Sequence, residues 1–285
     1  MPILIDRDSK LLIQGMTGRQ GAYHTAKALE YGTRVIAGVT PGKGGQSVHG
    51  VPVFDTVADA LAQGPVDVSM ILVPPAGTLD AACEAIDHRI PLVVVITEFV
   101  PYHDALKIKA TAREAGVRVL GPNTIGAISP GRSKAGIMPG FLYREGNIGI
   151  ISRSGTLTHE VASNLGYMEK GQSTCVCIGG DAVKGLDFVD VLKLFREDGQ
   201  TEKVVLIGEI GGAGEEAAAR YIRDTAYPKP VLAFIAGVNA PPEKRMGHAG
   251  AIVSGGAGTA ASKLEALAQA GVTVARTLAD IYALA

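Results

Sequence analysis

The chain has 285 residues, 47% apolar and 19% charged, which suits two ordinary domains with real cores and excludes a disordered chain. Lys and Arg number 27 against 28 Asp and Glu, for a net charge of −1; with 5% aromatic residues and no Trp, this argues against nucleic acid as the main partner. The 37 glycines follow no Gly-X-Y period, so they mark tight turns and not a collagen-like chain.

Short β-rich runs alternate with helical apolar spacing along the first half. Strands are predicted at Lys10–Gln14, Thr33–Val39, Asp67–Val73, Pro91–Ile96 and Val117–Leu120. Helices are predicted at Gln20–Tyr31, Thr56–Gln63, Gly77–His88 and His103–Ala115. Apolar strands separated by helices imply a parallel sheet covered on both faces, a doubly wound α/β domain. The stretch Gly121–Gly140 holds so many breakers that it reads as a linker or functional loop. The alternation then resumes, with strands at Asn147–Ile151, Gln172–Ile178, Lys203–Ile210 and Pro230–Ala236. Helices follow at Gly155–Leu165, Phe188–Glu197, Glu215–Asp224 and Thr259–Ala270, and a Gly-rich loop spans Gly237–Gly258. The expected organisation is a first α/β domain over 1–125, a connection over 126–145 and a second over 146–285.

The three cysteines, Cys83, Cys175 and Cys177, form neither an even set nor a CxxC pair, which suits a reducing compartment. The start, MPILIDRDSK, lacks a signal-peptide pattern, and no apolar stretch is long enough to span a bilayer. A cytoplasmic or organelle-matrix location is expected. The mean hydropathy of +0.22 points to apolar surface that meets another chain.

Open α/β sheets bind ligands at the carboxyl ends of their strands. After the first strand comes Gln14-Gly15-Met16-Thr17-Gly18-Arg19-Gln20-Gly21, a GxxGxxG turn opening a helix, which presents free N–H groups to an anion. The second strand ends without the acid that would hold an NAD ribose; Lys43 stands in a glycine loop there. That favours a phosphorylated ribose, NADP or coenzyme A. The loop is not a Walker A motif, because the spacing is wrong and Gly44 replaces the Ser/Thr. Ile96, Thr97 and Glu98 end the fourth strand as further ligand contacts.

In the second half, Ser154, Gly155 and Thr156 open a helix directly after a strand, an anion site by orphan amides and helix dipole. His248 lies between Gly247 and Ala249, where small neighbours expose the imidazole for nucleophilic chemistry. Glu209, at a strand's carboxyl end, could orient that ring. Nothing near His248 has metal-ligand spacing, and no GxSxG elbow exists.

GVTPGKGG, ISRSGTLT, the IGGD of Ile178–Asp181, IGEIGG and KRMGHAGAI together resemble the α subunits of the succinyl-CoA synthetase (succinate–CoA ligase) family, over essentially the whole chain. The resemblance implies a Rossmann-like coenzyme A-binding domain followed by a flavodoxin-like domain. It further implies an ATP-grasp β subunit, in an αβ or α2β2 assembly, that binds ATP or GTP and Mg2+. Residue by residue, His248 would be the phosphohistidine, Glu209 would hold it, and Ser154, Gly155 and Thr156 would cradle its phosphate. Thr17, Gly18, Arg19, Gln20, Lys43, Ile96, Thr97 and Glu98 would line coenzyme A. The implied cycle phosphorylates His248, passes the phosphate to a carboxylate and ends with thiolate attack on the acyl phosphate. Two departures fall where the acid belongs. The family's GPNCPG is here Gly121-Pro122-Asn123-Thr124-Ile125-Gly126, and its tyrosine in SGTLTYE is here His159, a different and potentially cationic donor. Asn123, Thr124 and His159 are therefore the residues that set the acid, with succinate, malate and citrate as candidates. A non-catalytic coenzyme A-binding regulator and an NADP-dependent oxidoreductase are the competing readings.

Overall fold

A computed structural model describes residues 3–241, 246–253 and 258–285. The chain divides into two compact units. The first is Leu4–Gly140 with Val183–Gly185. Its elements are β1 (Lys10–Gln14), α1 (Arg19–Glu30), β2 (Arg34–Val39), β3 (Ser47–Val48), β4 (Val51–Phe54), α2 (Val57–Leu61) and β5 (Val68–Ile71). They continue through α3 (Pro75–Asp87), β6 (Leu92–Val95), α4 (Tyr102–Ala115), β7 (Arg118–Leu120), β8 (Gly126–Ser129) and β9 (Ser133–Gly136). Seven strands form one sheet in the order β3-β4-β2-β1-β5-β6-β7, parallel throughout except for the β3–β4 pair. From β4 to β7 this is the Rossmann order, whose switch point falls between β1 and β5.

Both β5 and β6 are buried along their whole length, as strands covered on two faces must be. Leu12, Ile71, Val93 and Val95 meet the small residues Ala81, Ala82 and Ala85 of α3, with Ile86 and Ile108 filling in. The helix ends follow local chemistry. Pro75 opens α3, where a missing N–H costs nothing. Thr56 caps α2 by accepting from the Asp59 amide. Gly116, at φ +68°, closes α4 in the left-handed conformation.

The second unit is built on Phe141–Ala182 and Leu186–Ala285. It contains β10 (Glu145–Ser152), α5 (Gly155–Tyr167), β11 (Gln172–Cys177), α6 (Phe188–Glu197), β12 (Lys203–Glu209) and α7 (Gly214–Asp224). It ends with β13 (Val231–Ala236), α8 (Ala260–Gln269), β14 (Thr273–Ala275) and α9 (Leu278–Leu284). Its parallel strands run β14-β13-β12-β10-β11, the flavodoxin order, with the switch point between β10 and β12. The core side of α6 carries Phe188, Val191, Leu192 and Phe195, all buried.

One expectation is corrected. Gly121–Gly140 is not free of regular structure, because β8 and β9 form an antiparallel hairpin inside it. Its glycines serve close approach as well as turning. A Cβ on Gly126 would stand 2.1 Å from the Ala135 carbonyl oxygen, and one on Gly136 would stand 2.1 Å from that of Ile125. The short β3, β4 and β14 and the helix α9 also lay outside the predicted elements. No described helix is long and apolar enough to cross a membrane.

Candidate functional site

In the first unit the GxxGxxG turn leaves β1 at the switch point. Gly15 sits at φ +82°, and a Cβ there would meet the Leu72 carbonyl oxygen at 2.9 Å. A Cβ on Gly21 would lie 2.1 Å from the Gly15 carbonyl oxygen, so the first turn of α1 rests directly on the loop. Gly18 is the N-cap of α1, and no side chain bonds the free amides there. Gly18, Arg19 and Gln20 are exposed and Thr17 is half-buried. An uncapped helix start with open backbone suits a phosphate. Across from it, the loop after β2 closes by a hydrogen bond from the Lys43 amide to the Thr40 carbonyl, 3.0 Å, and leaves the Lys43 side chain exposed. Gly44 donates to Asp55 Oδ1 at 2.9 Å and fixes the loop from behind.

At the end of β6, Ile96 is buried, Thr97 is half-buried and Glu98 is exposed. The Thr97 hydroxyl donates to the Val73 carbonyl at 2.8 Å. Its own carbonyl accepts from the Asn123 amide at 3.0 Å, which ties the candidate cofactor strand to the GPNTIG segment. Asn123 adopts φ +55° after a cis Gly121–Pro122 bond. It keeps some exposed surface, whereas Thr124 is buried and accepts from the Gly126 amide at 2.9 Å. These residues fit a phosphorylated, nucleotide-like ligand such as coenzyme A. The fit rests on the uncapped helix start, the exposed Lys43 in the adjoining loop after β2, and the lack of an acid at the end of β2.

In the second unit the chemistry gathers at the β10/β12 switch point, where Ser152 pairs with Ile207. Ser154 caps α5, its hydroxyl accepting from the Leu157 amide at 3.3 Å. Gly155 and Thr156 keep exposed surface behind it. His248 Nδ1 lies 2.7 Å from Glu209 Oε2. With Nδ1 engaged, Nε2 is the ring nitrogen left for chemistry. The hydrogen bond from the ring to Glu209 is the main reason the His248 pKa is raised; Glu209 and Asp181 charges add to it, while burial and Arg153 oppose it. The loop is seated by glycines. A Cβ on Gly180 would meet the imidazole at 2.6 Å, and one on Gly211 would meet the Gly250 carbonyl oxygen at 2.1 Å. Lys244 and Arg245 of the KRMGHAGAI motif lie outside the described residues, as do the other parts of the expected loop at 242–243 and 254–257.

His159 stands in the same first turns of α5, with its Nδ1 2.6 Å from the Tyr143 hydroxyl. Burial lowers its pKa and so disfavours the cationic form. Among the described residues no three His, Cys, Asp or Glu side chains gather as a metal site.

Sequence reasoning missed Arg153. It is 5% exposed, lies 3.2 Å from Glu209 Oε1 and donates to Glu215 Oε1 at 3.2 Å. Burial alone would raise the Glu215 carboxyl, but Arg153 and Lys263 more than reverse this and hold its pKa low. The available signal was a charge between two serines at the end of an apolar strand, inside a motif read only for its hydroxyls.

Residues 6–99 match the model of the CoA binding domain and residues 151–273 that of the CoA-ligase family. The chain is 51% identical over 281 residues to the ADP-forming succinate–CoA ligase subunit alpha 2 of Archaeoglobus fulgidus, covering 99% of this chain and 97% of that one. It is 56% identical over 272 residues to the corresponding subunit alpha of Methanothermobacter thermautotrophicus, covering 95% and 92%. Among solved structures, the ATP citrate lyase of Methanothrix soehngenii, in complex with citrate and coenzyme A, matches with a TM-score of 0.89 at 24% identity. That match covers 99% of this chain but 51% of the lyase, so the chain spans about half of that structure. The dinucleotide-forming acetyl-coenzyme A synthetase 1 of Ca. Korarchaeum cryptofilum matches with a TM-score of 0.79 at 24% identity, covering 97% and 60%. These two likenesses speak to the fold, whereas the identities near one half over nearly full length speak to descent: the chain belongs to the family of succinate–CoA ligase α subunits.

Proposed function

We propose that this chain, with an ATP-grasp β subunit, joins a carboxylic acid to coenzyme A at the expense of a nucleoside triphosphate, through a phosphohistidine at His248. The observation that carries the reading is the 2.7 Å contact between His248 Nδ1 and Glu209 Oε2. A neutral ring donating its Nδ1 proton to that carboxylate has its Nε2 lone pair free. Nε2 takes the γ-phosphoryl group as the bond to the bridging oxygen breaks and the nucleoside diphosphate leaves. The amides and hydroxyls of Ser154, Gly155 and Thr156 offset the phosphate's charge, so positioning and electrostatics do the work. The phosphoryl group then passes to the acid's carboxylate. Bound coenzyme A supplies the thiol that accepts the acyl group and releases phosphate. Thr17, Gly18, Arg19 and Gln20 hold its pyrophosphate by backbone and side-chain N–H groups, Lys43 meets its ribose phosphate, and Ile96, Thr97 and Glu98 line its course.

Succinate is the first candidate acid, and the ADP-forming relatives favour ATP and Mg2+ on the partner. Malate or citrate is the second reading, favoured by His159 and its bond to Tyr143 in place of the family's tyrosine. Asn123, with Thr124 shaping its turn, and His159 are each taken to bear on the choice of acid in this reading. The functional division is 1–125 for coenzyme A and 146–285 for phosphoryl transfer, in a cytoplasmic αβ or α2β2 enzyme.

The test is mass spectrometry of the chain purified with its partner and kept alkaline, because phosphohistidine is acid-labile. Phosphate is expected on the His248 peptide after ATP and Mg2+, discharged by succinate with coenzyme A, and absent in His248→Asn. An unmodified His248 peptide in the assembled wild type would end this reading.

A further inference from the structure

Behind the imidazole lies a chain of buried opposite charges that holding a phosphate does not by itself require. Glu209 Oε2 faces His248, and Oε1 accepts no aligned hydrogen bond. The partner of Oε1 is Arg153 Nη2, 3.2 Å away. Arg153 Nη1 donates to the Gly211 carbonyl at 2.9 Å and to Glu215 Oε1 at 3.2 Å. Glu215 Oε1 also accepts the Glu209 backbone N–H at 3.1 Å, so one carboxylate braces both the guanidinium and the backbone of Glu209. On its far side Glu215 pairs with Lys263, which also donates to Glu216 and to the Gly212 carbonyl. Glu215 and Lys263 are both 0% exposed. Burying ions this deeply is unfavourable unless every member is paired and bonded. A planar fork with fixed donors does what a point charge cannot, because it sets directions.

Two further contacts connect this chain to the histidine loop. A Cβ on Gly250 would stand 2.8 Å from Arg153 Nη2, so the loop backbone rests against the guanidinium. Lys263 lies in the first turn of α8, whose N-cap is Thr259, soon after the loop returns. Among the described residues, three charged groups face the His248 ring: Glu209 from β12, Asp181 after β11 and Arg153 after β10. Arg153 alone among them is positive.

We infer that Arg153 is a positioning residue for His248. Its guanidinium, fixed from behind by Glu215 and Lys263, aims Glu209 Oε2 at Nδ1 and seats the loop at Gly250. Nε2 is thereby presented in one orientation. The inference rests on His248 being the phosphoryl carrier.

The experiment has two arms. The first titrates His248 by NMR of its Cε1–H signal in the full-length chain, assigned against His248→Asn. The second times phosphohistidine formation with ATP and Mg2+ in the complex with the partner subunit, using an alkaline quench. Arg153→Met removes the positive charge facing the ring, so its midpoint should move up while Glu209→Gln moves it down. Arg153→Lys keeps the charge without the fork, so its midpoint should stay near wild type. Both Arg153 variants should form phosphohistidine at least about thirtyfold more slowly. Should Arg153→Met not fold, the double variant Glu215→Gln/Lys263→Met keeps the net charge, unbraces Arg153 and should show the same slow formation. An Arg153→Met midpoint equal to wild type, or Arg153→Lys forming phosphohistidine within threefold of wild type, would overturn the positioning role. Wild type that never forms phosphohistidine would overturn the reading beneath it, a distinct failure because the titration arm needs neither partner nor nucleotide.

Discussion

His248 and His159 are shifted in opposite directions, and each shift has a consequence that can be measured. Glu209 raises the His248 pKa above 6.5, so the folded chain holds a proton there that the unfolded chain has released. That contribution to stability is fully present below pH 6.5 and disappears as pH rises through the folded value. His248→Asn should therefore lower Tm more at pH 6 than at pH 8.5, read by calorimetry; equal losses at both pH values would contradict the assignment. Catalysis runs the other way. Attack by Nε2 needs the neutral ring, so phosphohistidine formation should climb with pH through the same raised value. His159 is pushed down by burial, so its contribution is intact above pH 6.5 and is lost as pH falls from there through the lowered folded value, because the unfolded ring takes up its proton first. Its partner gives a separate handle. Tyr143→Phe leaves His159 Nδ1 half-buried without its phenol, which should cost about 1–2 kcal/mol. The same change should raise KM for the acid while sparing phosphohistidine formation, as seen in initial rates at varied acid.

At the scale of elements, two helix starts and two sets of glycines divide the labour. Gly21 lets α1 sit on the Gly15 carbonyl, and Gly180 lets the imidazole lie on the turn after β11. The two substitutions should therefore fail differently. Gly21→Ala should weaken coenzyme A binding by tenfold or more in calorimetric titration, with His248 still phosphorylated. Gly180→Ala should do the reverse. The helix starts were legible in sequence because their grammar is local: glycine spacing, a serine cap, a strand just before. The carboxylate behind His248 was legible because Glu209 ends a predicted strand among glycines. Arg153, Glu215 and Lys263 were not, because their partnership joins the residue after β10 to α7 and α8 across more than a hundred residues of sequence. No local pattern marks a lysine at 0% exposure.

For the molecule as a whole, β/α alternation announced two wound sheets, and the strand orders follow the two doubly wound schemes. What escaped were the pieces too short to show a period, among them β4, the two-residue β3, the three-residue β14 and the seven-residue α9, and the hairpin hidden by its own glycines. Each unit has its own core, so large-to-small changes should act locally. Leu12→Ala in the first unit and Phe195→Ala in the second should each cost about 3–5 kcal/mol, both side chains being fully buried. Phe195 packs against the bare backbone of Gly149 in β10. Hydrogen exchange should therefore speed in β10 and β12 for Phe195→Ala while β1 and β5 stay protected.

The seat of the histidine loop bears on how this sequence tolerates change. Gly180, Gly211 and Gly250 bring no functional group to the reaction, yet each stands where an added methyl would strike the imidazole, a loop carbonyl or the guanidinium. A saturation screen for growth dependent on this ligase should therefore rank these three silent positions beside His248. Drift at these three seats is closed by contact alone, so they are held as firmly as the nucleophile they support.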